Sequence, residues 1–335
     1  MTDALRSSPG FVCPRCRAPV TLERDQYRCH GCASLYPVVA GIPDFRVTPD
    51  PWIGLDEDRA KSERLSRLIG SVSFDDAVRA YWSITPETPR ALAEHFVGAV
   101  LRSADEAREW MASLDPAPPS GGGAPWLDVG CGTGALVAAG AERGVGIVGV
   151  DIALRWLVVA RRRPGLAASA LVCANGEHLP FAEASFARVV SVGTIEHCVD
   201  AAGVLRDARR VMQQGGVLHV KTTSRYTMLP EPHVQLWGVG LLPRRWADRY
   251  VRWRTGQRYM HHRPLSPREL ARDMRRAGFR DVSVAASPML AAQDAALGRA
   301  MRALLPIYEW TRRSPIVRRG VRWIAPLIDA RGVAA

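Results

Sequence analysis

The stretch WLDVGCGTGALVAAG, residues 126–140, decides the fold. An apolar run ends at Val129, glycines follow at 130, 132 and 134, and a helical pattern of small and apolar residues begins. Glycine lets the backbone turn tightly and approach a ligand with no Cβ in between. Alone, the loop is ambiguous, because Gly130, Gly132 and Ala135 also satisfy the loose dinucleotide-binding pattern. Outward from it, strand patterns at 126–129, 146–150, 170–173, 187–192, 216–222 and 281–286 alternate with helical patterns at 134–143, 153–163, 201–212 and 266–277. That order predicts an α/β fold with a parallel sheet and helices on both faces. After Ala286 no further strand is legible.

Two carboxylates narrow the ligand. Asp128 precedes the first glycine by two residues, where it would repel a pyrophosphate but can hold an ammonium group. Asp151 closes the second strand in VGVDI, 17 residues after Gly134, where two ribose hydroxyls can donate to it. The segment VCANGEHLPFAEASFARVVSVGTIEH, 172–197, then follows at the right distance.

As an ordered set these pieces resemble the class I S-adenosylmethionine-dependent methyltransferases, in the group related to the ubiquinone and menaquinone C-methyltransferases. LDVGCGTG resembles the first motif of that family and VGVD the second. NGEHLPF resembles the segment after the third strand, while SFARVVSVGTIEHCVD and ARRVMQQGGVLHV resemble the fourth and fifth strand regions. The resemblance covers about residues 126–222 and implies a Rossmann-like class I methyltransferase sheet of seven strands that binds S-adenosyl-L-methionine. It implies that Gly130, Gly132 and Gly134 line the cofactor, with Asp128 near its amino acid end. Asp151 would take the ribose, Ile152 would flank the adenine, and Asn175 and Gly176 would lie at the adenine edge. The family usually has Asp at position 175; an amide oxygen can still accept from the adenine amino group.

Near the N-terminus, CPRCRAPVTLERDQYRCHGC (13–32) holds two CxxC knuckles, Cys13 with Cys16 and Cys29 with Cys32. Twelve residues separate them, enough for a hairpin to bring four thiolates around one zinc ion. Such a closed site is structural, the alternative being a pair of unmetallated redox motifs. With the apolar SLYPVVAGIPDF behind it, the segment resembles the zinc ribbon of the tRNA-methyltransferase activator type over residues 11–46. The implied organisation is a zinc ribbon at 11–46, a helical segment at 56–114 broken by Pro86 and Pro89, and a Pro/Gly-rich linker at 115–125. A methyltransferase domain at 126–290 with a lid insertion at 224–265 follows, and then a C-terminal arm at 291–335.

Because the methyl of a sulfonium is already electrophilic, aligning the acceptor and removing its proton are what remains for the protein. His197, in TIEH after the fourth strand, and His233, in the insertion MLPEPHVQLWGVGLLPRRW, are candidate bases. Glu196 can orient the loop instead. Trp237, Arg244, Arg245 and Trp246 can form an apolar acceptor pocket with an anion site, or simply pack the insertion. His261 and His262 read as exposed loop residues, and Cys131, Cys173 and Cys198 as small packing residues.

With 45 Lys and Arg against 33 Asp and Glu, the formal charge is +12. Lys61 and Lys221 are the two lysines, so the excess is arginine and can reflect coding bias as well as an anionic partner. MTDALRSSPG lacks the basic-then-apolar order of a secretory signal, and no apolar run reaches the ~18 residues of a membrane span. The expectation is a cytoplasmic protein. In SPIVRRGVRWIAPLID (314–329), Ile316, Val317, Val321, Ile324, Leu327 and Ile328 can share a helical face, so 314–335 is expected to form a basic amphipathic helix, kinked or ended by Pro326, touching a membrane or the protein's own core. The functional expectation is methyl transfer to an oxygen or activated carbon of a small-molecule or lipid-linked acceptor. An RNA methyltransferase gripping its substrate with ribbon and arginines is the alternative, and a non-catalytic cofactor-binding adaptor is a third.

Overall fold

A computed structural model describes residues 10–86, 88–114, 123–167, 170–231, 234–256, 258–259, 262–290 and 299–335. The chain divides into two compact units, one comprising residues up to Val189 with Arg210–Gln213, the other Val190–Arg209 with Gln214–Ala335.

The first unit begins with an antiparallel meander of β1 (Val20–Glu23), β2 (Gln26–Cys29), β3 (Leu35–Val39) and β4 (Ile42–Pro43). Ala40 and Gly41 both have positive φ, 49° and 74°, as a two-residue hairpin between twisted strands requires. So few residues cannot bury a core alone, and this sheet borrows one. Phe45 packs 5.0 Å from the Tyr27 ring, 5.1 Å from Tyr36 and 4.9 Å from Phe11, and Phe11 meets Phe181 at 5.8 Å. The Val12 amide donates to the Pro180 carbonyl and the Phe45 amide to that of Cys173.

Helices α1 (Leu55–Ile69), α2 (Phe74–Ser83) and α3 (Arg90–Ser113) follow. Ser73 caps α2 by accepting from the Asp76 amide; α2 ends at Ser83 and α3 starts at Arg90, with Pro86 and Pro89 between them. The linker residues 115–122 lie outside the described residues. Strands β5 (Trp126–Val129), β6 (Ile147–Asp151) and β7 (Leu171–Cys173) pair in parallel, with Leu127 beside Val148 and Val150 beside Val172. They are apolar almost throughout because helices cover both faces of a parallel sheet. Between them run α4 (Ala135–Glu142) and α5 (Leu154–Ala160), within two or three residues of the predicted bounds.

β8 (Phe186–Val192) leads into the second unit, which contains most of α6 (Ala201–Val211) and of β9 (Met212–Thr223), then α7 (Arg244–Thr255), α8 (Pro267–Arg276) and β10 (Phe279–Ala286). A capping box starts α8: Ser266 accepts from the Glu269 amide while the Glu269 carboxylate takes the Ser266 amide. Next come α9 (Arg299–Arg313), α10 (Arg318–Ile324) and β11 (Leu327–Ala334). The sheet order is β10-β11-β9-β8-β5-β6-β7, the Rossmann-like class I methyltransferase arrangement.

The last strand corrects two expectations. The seventh strand exists, inserted antiparallel between β9 and β10, with Ile328 beside Thr222 and Asp329 beside Ala285. The C-terminal arm is therefore not one amphipathic helix, and the sheet does not stop near residue 290. Helix α10 spans only Arg318–Ile324, and Pro326 prevents its continuation. Beyond it Ile328, Ala330, Gly332 and Ala334 are buried at a period of two, while Asp329 and Arg331 between them hide the alternation from a hydropathy reading. Gly332 is closely packed, since a Cβ would stand 2.9 Å from Met274 Cε and 3.1 Å from Phe279 Cβ, so that both would have to shift to admit one.

Candidate functional site

The glycine loop is fixed by β6. The amides of Gly130 and Cys131 donate to the Val150 carbonyl at 2.7 and 3.0 Å. Asp151, at the end of the same strand, accepts the Gly132 amide on Oδ2 and the Ala153 amide on Oδ1, both at 2.8 Å. One carboxylate thus clamps the loop after β5 to the loop after β6, with an acceptor lone pair left on each oxygen. All three loop glycines have positive φ: 84° at Gly130, 51° at Gly132 and 73° at Gly134. Their purposes differ. The side of Gly132 where a Cβ would point is open space, whereas a Cβ on Gly134 would strike Leu166 at 2.3 Å. Gly132 suits a ligand's approach; Gly134 lets the backbone turn left-handed into α4 over packed neighbours.

Asp128 is 3% exposed. Burial, with the nearby charge of Asp151 added, pushes its carboxyl up to about 8. Burial also raises Asp151, against the pull of the Ala153 and Gly132 amides. A positive ligand group beside these carboxyls would favour their ionised forms and offset the cost of burying them.

Asn175 is not presented to a ligand. Its Oδ1 accepts the amides of Val47 and Thr48, at 2.8 and 3.3 Å, and its Nδ2 donates to the Thr48 carbonyl and to Thr48 Oγ1, at 3.2 and 2.8 Å. That is the full capacity of an amide. Aspartate could not donate the last two bonds, which accounts for Asn where the family usually has Asp. Gly176 is half-buried in the turn that follows. Ile152 is half-buried too, and its carbonyl accepts from Arg46 Nη1 at 3.0 Å.

Arg46 belongs to a buried ion network that the sequence reading did not find. Its guanidinium makes two bonds to Asp44, at 2.8 and 2.9 Å, and one to Asp58 at 2.6 Å, all with fully buried side chains. Asp58 also accepts from Arg155 and from the Leu154 amide, and Arg155 reaches Asp50 at 2.9 Å. The residue following β4, helix α1 and the start of α5 are joined by charge beneath the loop that carries Asp151 and Ile152. Breaking such a buried pair by removing one partner typically costs ~3–5 kcal/mol. The one sequence signal is the charged DFR step inside an otherwise apolar run.

The four N-terminal thiols converge. The Sγ atoms of Cys13, Cys16, Cys29 and Cys32 lie within 4.8 Å of one another, with Cys13–Cys32 at 3.6 Å and Cys16–Cys29 at 3.4 Å. A tetrahedron with metal–sulfur bonds of ~2.3 Å has edges of ~3.8 Å, so the donor set fits zinc. The Gly31 and Cys32 amides point at Cys29 Sγ, as they do where a knuckle stabilises thiolate charge. The thiols of Cys131 and Cys173 are buried and pushed well up by that burial, as befits packing residues.

In the second unit a cavity of about 350 Å³ is walled by residues of the insertion after β9. Leu229, Leu236, Val239 and Leu242 supply apolar wall; Ser224, Glu231, Tyr259 and His262 supply polar points, and Arg225, Arg244 and Arg263 line it as well. Ser224 is fully buried and its Oγ has no hydrogen-bond partner among the described residues. Burial, with Glu231 beside it, holds the Tyr259 phenol well above its usual range. His262 Nδ1 lies 3.1 Å from His197 Nδ1, the rings nearly perpendicular at 75°. His197 sits on the 3-10 turn Ile195–His197 after β8, and Glu196 fixes that turn by accepting from Thr222 Oγ1 at 2.8 Å and the Thr223 amide at 3.2 Å. His262, expected to be an idle loop residue, is thus the histidine at the cavity, with His197 as its partner. His233 and His261 lie outside the described residues. Arg244 donates to Glu269 at 2.9 Å and to the Pro264 carbonyl.

The family model for a methyltransferase domain matches residues 127–220. The matched stretch runs from the strand that carries Asp128 to the strand that ends at Thr223. The chain is similar to the ubiquinone biosynthesis O-methyltransferase of Idiomarina loihiensis, 30% identical over 162 residues that cover 47% of this chain and 62% of that protein. It is 34% identical to the demethylmenaquinone methyltransferase of Tropheryma whipplei over 118 residues, 35% of this chain and 49% of that one. The chain therefore spans less than two thirds of the length of either relative. Among solved structures, an S-adenosylmethionine-dependent methyltransferase of Thermotoga maritima, a possible histamine N-methyltransferase, superposes with a TM-score of 0.46 and 19% identity, covering 73% of this chain and 97% of that one.

The raised Asp128 carboxyl predicts that any cationic ligand bound beside it binds with a pH-dependent affinity. Below about 8 the carboxyl holds a proton that a cationic ligand must expel, because the cation favours the ionised form. Affinity for S-adenosylmethionine should rise from pH 6 to pH 8 and then level. At pH 7, calorimetric heats should vary with the ionisation enthalpy of the buffer, reporting proton release. Asp128→Asn should remove that dependence; release unaltered in the variant would contradict it.

Proposed function

We propose that the protein transfers the methyl group of S-adenosylmethionine to an oxygen or activated carbon of a small, largely apolar acceptor held in the cavity of the second unit. The observation that carries this reading is a cavity that sets aliphatic wall beside polar points, Arg225, Arg244, Arg263, His262 and the unpartnered Ser224 hydroxyl among them, with His197 in contact with His262. Pockets for small organic ligands have that character: apolar lining and a few placed polar groups. The names of the quinone-biosynthesis relatives support the same acceptor class.

In this reading Asp128 faces the ammonium of the cofactor, the open side of Gly132 admits its backbone approach, and the remaining lone pairs of Asp151 accept ribose hydroxyls. Ile152 and Gly176 border the adenine. Asn175 acts indirectly, by holding residues 47 and 48. When bound, the cofactor supplies an electrophilic methyl on a positively charged sulfur. The chain supplies orientation and proton removal. His262 takes the proton of the acceptor hydroxyl or enol, and the 3.1 Å contact with His197 orients its ring and shares the charge gained. Ser224 Oγ hydrogen-bonds a second polar group of the acceptor.

Zinc, in the same reading, is held by Cys13, Cys16, Cys29 and Cys32 and is structural, since four thiolates leave it no open position. Metal analysis of protein purified without chelator should find one zinc per chain, lost in Cys29→Ser; zinc-free native protein would dismiss the site.

For the histidine pair, His262→Ala and His197→Ala should each lower turnover ~100-fold or more while cofactor affinity stays within twofold, general-base catalysis contributing ~10²–10⁴. Unchanged turnover in His262→Ala would remove the pair from the mechanism.

A further inference from the structure

The insertion that walls the cavity has an outer face with a different chemistry. Helix α7 reads RRWADRYVRWRT, five arginines against one aspartate. Its inner side is apolar: Ala247 and Val251 are buried with Val239, and Tyr250 and Tyr259 pack around them. The outer side carries Trp246 and Trp253, 54% and 76% exposed, among exposed Arg245, Arg249, Arg252 and Arg254. The segment before it adds Trp237 and Leu241, 57% and 63% exposed. The helix's one acid, Asp248, is engaged by Arg252 at 2.8 Å and by the Tyr259 amide at 2.8 Å. The sequence offered Trp237 and Trp246 as pocket wall or as packing; both are more than half exposed.

Large apolar side chains grouped on one exposed face, rimmed by charge of one sign, mark an interaction surface. We propose that this face docks on an anionic phospholipid bilayer, with the indoles at headgroup level and the arginines on lipid phosphates. Charge and geometry both select that occupant. Tryptophan concentrates at the membrane–water interface, and cationic side chains beside it draw the helix to anionic lipid. Trp246 and Trp253 are seven residues apart, two helical turns, so they share a stripe and stand ~10.5 Å apart along the axis. A lipid surface accepts a flat stripe of that kind. Single-stranded RNA fits it less well, because its successive bases stack on closely spaced aromatics lining a groove, not on a convex helix.

The proposal deepens the reading of the cavity as an acceptor site, on which it rests for purpose: the segment that lies on the bilayer is the one whose inner residues wall the cavity, so an acceptor dissolved in lipid reaches its pocket without crossing water. Docking itself needs neither acceptor nor cofactor, and the experiment leaves both out. The full-length protein is floated with vesicles of phosphatidylcholine alone, or of phosphatidylcholine mixed with phosphatidylglycerol. The expected result is binding to the anionic vesicles that weakens with added salt. Trp246→Ala/Trp253→Ala should lower apparent affinity at least tenfold, and Arg245→Gln/Arg249→Gln should lower it similarly on the anionic vesicles alone. These are exposed positions, so circular dichroism should be unchanged. Equal binding by the tryptophan variant, or no binding of wild type to anionic vesicles, overturns the proposal. So does binding to a single-stranded RNA oligonucleotide that the same substitutions weaken while vesicles are ignored. Vesicle binding can fail with methyl transfer to a water-soluble acceptor intact, which separates this proposal from the one it rests on.

Discussion

A single carboxylate organises the loops that follow the first two strands of the parallel sheet. Asp151 spends one lone pair of each oxygen on a backbone amide, Gly132 on one loop and Ala153 on the next, and so holds the ends of β5 and β6 in one geometry. The arrangement works because the residues around it have no alternative. Gly130, Gly132 and Gly134 take left-handed backbone conformations, and the Val150 carbonyl collects the two amides that would otherwise be unpaired at the strand end. Burial drives Asp151 and Asp128 toward protonation. A cationic ligand group beside them favours their ionised forms, and a sulfonium amino acid carries such groups.

Behind the loop, the N-terminal ribbon is part of the same construction. Its aromatic residues share a cluster with Phe181, its last residues enter the Asp44–Arg46–Asp58 network, and residues 47 and 48 occupy every hydrogen bond of Asn175. Position 175 illustrates how a family motif changes meaning. Where Asp is usual, the side chain can only accept; here a donor is needed to hold Thr48, and Asn provides it without changing size. A side chain that resemblance assigns to the adenine has become a strap.

Much of this was legible in the sequence because the signals were local. Glycine spacing, strand-end carboxylates and paired CxxC knuckles each depend on residues a few positions apart, and the first six strands of the main sheet and the four helices expected around them fall close to their predicted bounds. What failed to show depended on distant partners. Strand β11 hides its alternation because small residues, Ala330, Gly332 and Ala334, face the core while Asp329 and Arg331 intervene. No local pattern reveals that His262 meets His197, or that Arg46 finds Asp58 and the carbonyl of Ile152. The tryptophans of α7 are opaque for a related reason: the helix has two candidate apolar faces, and only the placement of Ala247 and Val251 shows which is turned inward.

The account stands on the Asp151 clamp shaping a site for an adenosyl amino acid. Titration calorimetry with S-adenosylhomocysteine on wild type and Asp151→Ala tests that directly. One molecule should bind per wild-type chain, and the variant, still folded by circular dichroism, should bind at least tenfold more weakly. No affinity in the wild type, or equal affinity in the variant, would contradict it.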